Sequence, residues 1–168
     1  GVLALPFLAL GWYLAALVVI LLNRLLDGLD GALARRRGLT DAGGFLDISL
    51  DFLFYALVPF GFILAAPQQN ALAGGWLLFA FIGTGSSFLA FAALAAKHQI
   101  DNPGYAHKSF YYLGGLTEGT ETILLFVLGC LFPAWFAWFA WIFGALCWMT
   151  TFTRVWSGYL TLKSLQRQ

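Results

Sequence analysis

Charge is scarce in this chain. Asp, Glu, Lys and Arg together make up 10% of its 168 residues, and the formal net charge is only +1. Soluble domains carry about 25% charged residues. Without a basic excess, the electrostatic footprint of a nucleic-acid binder is missing, and no nucleic-acid partner is expected. Cysteine is almost absent too. Cys130 and Cys147 both lie in apolar runs, where helix packing is a plainer reading than a disulfide or a zinc site. No repeat with a period of 20–50 residues, no low-complexity tract and no composition break divides the chain, so residues 1–168 read as one membrane-embedded unit. No cleavable signal peptide is visible. The chain opens on Gly1, already in an apolar run, which leads us to expect a first helix truncated at its N-terminus.

What fills the space left by charge is apolar. Hydrophobic residues make up 61% of the sequence and the mean hydropathy is +0.81. Since a spanning helix needs about 20 mainly apolar residues, the chain reads as an all-α integral membrane protein, a bundle of six transmembrane helices. The first ten residues are the tail of span one, and "GWY" makes a turn. Span two runs from about Leu14 into a charged stretch. Span three covers Phe45 to Ala66 and is broken by "PQQNALAGG". Span four covers Trp76 to Ala96, span five Leu113 to Phe132, and span six Ala134 to Leu162. Arg35, Arg36, Arg37, Lys97, Lys108, Lys163 and Arg167 all fall at one side of this topology, and the turns near Trp12, Pro67 and Pro133 lack Lys and Arg. The positive-inside rule puts the basic side in the cytoplasm, and Trp12, Trp76, Trp135 and Trp138 mark an aromatic belt at the other face.

The carboxylates are placed against this background. Of the eight acidic residues, Asp41 and Asp101 read as loop residues; Asp27, Asp30, Asp47, Asp51, Glu118 and Glu121 lie in or at the ends of spans. An ionised carboxylate at that depth is costly unless paired, coordinated or solvated. Asp27 and Asp30 are spaced i, i+3, and Asp47 and Asp51 i, i+4, so each pair occupies one helix face about one turn apart. The two helices are consecutive and joined by a short turn around "RGLTDAG", which lets the pairs face each other. Four converging carboxylates call for divalent cations, and oxygen-only ligation favours Mg²⁺ or Mn²⁺, or Ca²⁺, over zinc. The plainer alternative is separate surface ion pairs with Arg24 and Arg35 to Arg37. Gly28, Gly31 and Ala34 shave the same region, either for close helix packing or to leave room for a ligand. "GTGSS" at Gly83 to Ser87 reads as a helix-packing patch, and His98 and His107 as solvated loop residues.

In order, these residues read Asp27-x2-Asp30-Gly31-x2-Ala34-Arg35, then Gly43-x3-Asp47-x3-Asp51. The pattern resembles the signature of the CDP-alcohol phosphatidyltransferase family. The spacer between Arg35 and Gly43 is seven residues, one shorter than is common there, as a trimmed interhelical turn would make it. The resemblance implies transfer of a phosphoalcohol from a CDP-linked donor to an alcohol acceptor with release of CMP, in phospholipid biosynthesis. It implies two Mg²⁺ or Mn²⁺ ions held by Asp27, Asp30, Asp47 and Asp51, with Asp51 also the catalytic base. It further implies space for cytidine at Gly31 and Ala34, a diphosphate contact from Arg35, membrane lipid as partner, a homodimer, and a site on the cytoplasmic side of an inner membrane.

Other candidates are less specific. Glu118 and Glu121, with Thr117, Thr120 and Thr122 beside them, open span five. They fit an acceptor pocket for an alcohol that lacks a phosphate, or compensation of the helix dipole with capping by Thr117. Arg154 fits phosphate binding, pairing with Glu118 or Glu121, or snorkelling to the interface. Arg24, one turn before Asp27, is expected to form a salt bridge in the site region, and Lys108 is a further candidate for a donor-phosphate contact. Intramembrane carboxylates also mark ion pathways, which leaves a divalent-cation transporter as the alternative function, and a non-catalytic metal-binding subunit as a third. The outer halves of spans two, three and five are nearly free of polar residues, which disfavours a pathway through the full depth.

Overall fold

A computed structural model describes residues 1–38, 40–98, 117 and 119–165, without the side chains of Ala34, Arg35, Arg37 and Leu165. Helices follow the apolar runs, and no strand occurs among the described residues: α1 Ala4–Ala9, α2 Tyr13–Arg37, α3 Asp41–Ala65, α4 Pro67–Lys97, α5 Gly119–Leu131 and α6 Phe136–Leu165, the last preceded by a 3₁₀ turn at Pro133–Trp135.

Glycines in left-handed backbone conformations end two of these helices. Gly11 (φ +74°) closes α1, its N–H donating to the Leu8 carbonyl at 2.8 Å, and Gly38 (φ +103°) follows α2. Only glycine adopts such angles without strain. Beyond Gly38, Thr40 caps α3: its Oγ1 accepts from the Gly43 N–H at 3.1 Å. This cap starts α3 at Asp41, four residues earlier than the hydropathy of the sequence suggests. Asp41, expected in a loop, instead stands in the helix's first turn, where a carboxylate favours the positive end of the dipole.

Apolar stripes at helical spacing make the core. Phe54, Val58 and Phe62 of α3 meet Ala73, Leu77 and Ala80 of α4, Phe126 and Cys130 of α5, and Phe136, Ala140, Phe143 and Cys147 of α6. The Phe62 and Phe136 rings stack with centroids 4.0 Å apart. Both cysteines are buried and free, serving as packing residues. Gly61 allows α1 to close on α3, because a Cβ there would stand 2.8 Å from Leu8 Cβ.

Outside this core the helices remain apolar. The most hydrophobic window of α4 has a mean hydropathy of 1.9 with only 17% of it buried. A helix that is apolar all round and mostly uncovered belongs in lipid. Asp41–Ala65, Pro67–Lys97 and Pro133–Ser164 are long and apolar enough to cross a membrane, and the described part of span five, Gly119–Leu131, is a shorter apolar helix. The protein is therefore an all-α membrane protein.

Three expectations shift. The break expected at "PQQNALAGG" shrinks to Ala66, and α4 starts at Pro67. Proline is favoured in a first turn, where its missing N–H costs nothing. The polar residues of this stretch serve as anchors: Asn70 Nδ2 donates to the Phe62 carbonyl at 2.8 Å and Gln69 Nε2 to the Ala134 carbonyl at 2.9 Å. Trp76 consequently lies well inside α4, about 14 Å from its start at 1.5 Å per residue. It is not part of an end belt; its indole donates to the Trp141 carbonyl at 3.2 Å and packs against Trp148. Finally, α2 and α3 are consecutive but not closely packed. α2 makes its extended contacts with α1 and α5, while α3 contacts α1 and α4.

Candidate functional site

The splay between α2 and α3 leaves a cavity of about 890 Å³. Asp27 and Asp30 line it from α2, and Asp47 and Asp51 from α3. The spacings that put each pair on one helix face thus also put both pairs on one cavity. Asp27 feels the charges of Asp51, Asp47 and Asp30 as well as that of Arg24. Asp27 and Asp51 are half-buried, whereas Asp30 and Asp47 are exposed.

Arg24 bridges the two helices. Its Nη1 lies 2.9 Å from Asp51 Oδ1 and 3.4 Å from Asp27 Oδ2. Nε and Nη2 donate to Asn23 Oδ1 at 3.2 and 2.7 Å. The guanidinium also sits over the Phe54 ring, 4.5 Å from its centroid, with the Tyr55 ring at 5.7 Å. Its reach from α2 to α3 follows from hairpin register, since Arg24 and Phe54 are equally far from the connecting turn, as Asp27 and Asp51 are. Asn23 is a site residue that motif reading passed over. Its signal was available: an amide next to an arginine in the run "VVILLNRLL" needs a partner at that depth.

The rest of the lining is apolar. Leu26, Leu29 and Leu33 from α2 and Leu46, Leu50, Leu53 and Leu57 from α3 flank the aspartates. Leucines therefore alternate with the aspartates along both helices that line the cavity. These leucines were also missed in the sequence, because leucine in a spanning helix carries no distinguishing signal.

Among the described residues, no three His, Cys, Asp or Glu side chains are gathered closely enough to hold a metal ion as they stand. The donor set nonetheless suits a hard cation, being four carboxylates on one cavity with one guanidinium between two of them.

The other candidates distribute as follows. Gly31 follows Asp30 in α2 and stands outside the cavity lining. A Cβ on Gly28 would meet nothing within 4 Å, so helix packing does not require this glycine. The side chains of Ala34 and Arg35 fall outside the described residues, as do Glu118, Asp101, His107, Lys108 and Arg167. Glu121 is exposed in the first turn of α5. Thr117, expected as a cap, donates its hydroxyl to Thr150 Oγ1 at 3.1 Å, which ties the start of α5 to α6. Arg154 Nη1 donates to the Thr84 carbonyl at 3.0 Å and the guanidinium lies 5.6 Å from the Phe88 ring centroid, tying α6 to α4. Gly83 of the "GTGSS" patch faces Trp148 and Thr151 of α6, each 3.2 Å from where a Cβ would stand.

The family model described as CDP-alcohol phosphatidyltransferase matches residues 2–156. The chain is 99% identical over 168 residues to the inner membrane protein YnjF of Escherichia coli (strain K12), a match that covers 100% of this chain and 82% of that protein. No solved structure matches the chain.

Proposed function

The chain belongs to the CDP-alcohol phosphatidyltransferase family, and from that membership we propose that it transfers a substituted phosphate from CDP-diacylglycerol to an alcohol acceptor, releasing CMP, with two Mg²⁺ or Mn²⁺ ions. The observation that carries this reading is the single cavity lined by Asp27, Asp30, Asp47 and Asp51. The leucines that flank the aspartates support a donor with acyl chains over a wholly soluble one.

In this reading the four aspartates hold the ions. Bound there, the ions would supply neutralisation of the diphosphate charge and of the charge that develops on displacement at phosphorus. The acceptor hydroxyl oxygen bonds to the phosphorus that carries the diacylglycerol. The bond from that phosphorus to the CMP oxygen breaks, and the hydroxyl proton passes to the Asp51 carboxylate. By family resemblance the cytidine takes the space at Gly31 and Ala34, Gly31 standing beside the aspartate cavity and not in its lining, and Arg35 contacts the diphosphate. Positioning and charge stabilisation supply more of the rate than proton transfer. Glu118 and Glu121 favour an acceptor without a phosphate, one bearing an amine or several hydroxyls. The enzyme works as a homodimer in the inner membrane with this cavity facing the cytoplasm.

The test is CMP release from CDP-diacylglycerol by the purified protein in detergent, with Mg²⁺ or Mn²⁺ and a panel of alcohols. Metal-dependent release lost in Asp47→Asn is the expected result. No release with any acceptor defeats the reading. Release only from a soluble CDP-alcohol, with diacylglycerol as acceptor, reverses the roles of donor and acceptor.

A further inference from the structure

Arg24 stands in a strongly apolar stretch and its side chain is 17% exposed. A guanidinium in such a place needs partners on every side. It has them, and they fall into two sets. On one side Nη1 contacts Asp51 at 2.9 Å and Asp27 at 3.4 Å. On the other, Asn23 Oδ1 receives Nη2 and Nε at 2.7 and 3.2 Å, and the Phe54 ring lies 4.5 Å below.

The first set consists of two carboxylates from different helices, sharing one positive nitrogen across an open hairpin. A bridging divalent ion would make the same demand on Asp27 and Asp51. The second set holds the guanidinium without Nη1, so releasing the carboxylates leaves Arg24 still hydrogen-bonded and still over an aromatic face.

We propose that Arg24 is the resident counter-cation of the aspartate cluster: it neutralises Asp27 and Asp51 in the ion-free protein, and divalent ions load by displacing Nη1 while Asn23 and Phe54 retain the guanidinium. The inference rests on the metal-dependent reading above. It makes Arg24 a positioning residue and a competitor of the ions.

The experiment is Mn²⁺ binding, read by electron paramagnetic resonance and by thermal unfolding, on the full chain in detergent after chelation. Arg24→Gln, Asp47→Asn and the unsubstituted protein are compared. Losing one charge-assisted contact is worth roughly tenfold in affinity, so Arg24→Gln is expected to bind Mn²⁺ about tenfold more tightly. Its ion-free form is expected to melt below the unsubstituted protein, and Mn²⁺ to remove the difference. If Arg24→Gln proves too unstable without ions, it is purified with Mn²⁺ and stripped by chelator titration, where about tenfold more chelator is expected to be needed. Equal or weaker Mn²⁺ binding by Arg24→Gln, with binding still sensitive to Asp47→Asn, overturns the counter-cation role alone. Absence of any Mn²⁺ binding sensitive to Asp47→Asn overturns the metal reading and this inference with it.

Discussion

Arg24 and Asp51 join α2 to α3 through a 2.9 Å contact across the cavity, with the guanidinium also lying over the Phe54 ring of α3. Asn23 in turn holds the arginine. Replacing Asn23 with Ala removes the acceptor of two guanidinium bonds. A half-buried donor left without its partner costs about 1–3 kcal/mol. We expect Asn23→Ala to lower the thermal midpoint of the ion-free protein in detergent. An unchanged midpoint would mean that lipid or water already serves the guanidinium.

The aspartates themselves should respond as one unit. Asp47→Asn and Asp51→Asn each keep side-chain volume while deleting a charge from the cavity. Removal of a single stabilising group from a reaction centre typically costs on the order of 10²–10³ in turnover, and we expect at least that loss of CMP release from each variant. The double variant should lose little more than the worse single one, because residues acting together are not additive. Chelation of the unsubstituted protein should reproduce the loss, and added Mn²⁺ or Mg²⁺ should reverse it. Multiplying losses in the double variant would indicate independent roles.

Two glycines separate packing from space. A Cβ at Gly61 would lie 2.8 Å from Leu8 Cβ, an atom bonded to the backbone that cannot swing aside. Overpacking of this kind costs about 1–3 kcal/mol, so Gly61→Ala should melt earlier as α1 is pushed off α3. At Gly28 nothing lies within 4 Å, and alanine is favoured over glycine within a helix by roughly 1 kcal/mol. Gly28→Ala should therefore melt at the same temperature or higher. Thermal unfolding of the pair checks both, and a lowered midpoint for Gly28→Ala would reveal a contact that the packing of α2 does not contain.

The aspartate cavity was legible because helical spacing determines a face. Asp27 with Asp30, and Asp47 with Asp51, could not share a turn of helix without sharing a side. The turn after α2 was equally readable from "RGLTDAG", which contains Gly38. The distance between the helices was not: periodicity says which face a residue occupies and nothing about how far away the opposite face lies. Direct packing of α2 on α3 was therefore the natural expectation, and a cavity spanned by an arginine was found. The start of α4 was hidden for a different reason. Pro67, Gln69, Asn70, Gly74 and Gly75 all look like loop residues when read singly. The partners of Asn70, Gly74 and Gln69 are Phe62, Ile63 and Ala134, and only the packed structure reveals a first turn built from proline and two side-chain anchors.

Glu121 offers the sharpest test of acceptor choice. It lies exposed in the first turn of α5, where a carboxylate stabilises the helix by about 0.3–1 kcal/mol through the dipole. That contribution alone predicts that Glu121→Gln melts slightly earlier and leaves the kinetics untouched. An acceptor contact predicts a different signature. The KM for the alcohol should rise severalfold while the KM for the CDP-linked donor stays constant, because the proposed function assigns the donor to the aspartates and not to α5. We expect the second outcome, strongest for alcohols that carry an amine, whose positive charge the carboxylate would attract. Glu118→Gln should behave in the same way if both carboxylates face the acceptor. A shift in thermal midpoint with both KM values unchanged would assign Glu121 to the dipole and leave the acceptor to be recognised elsewhere.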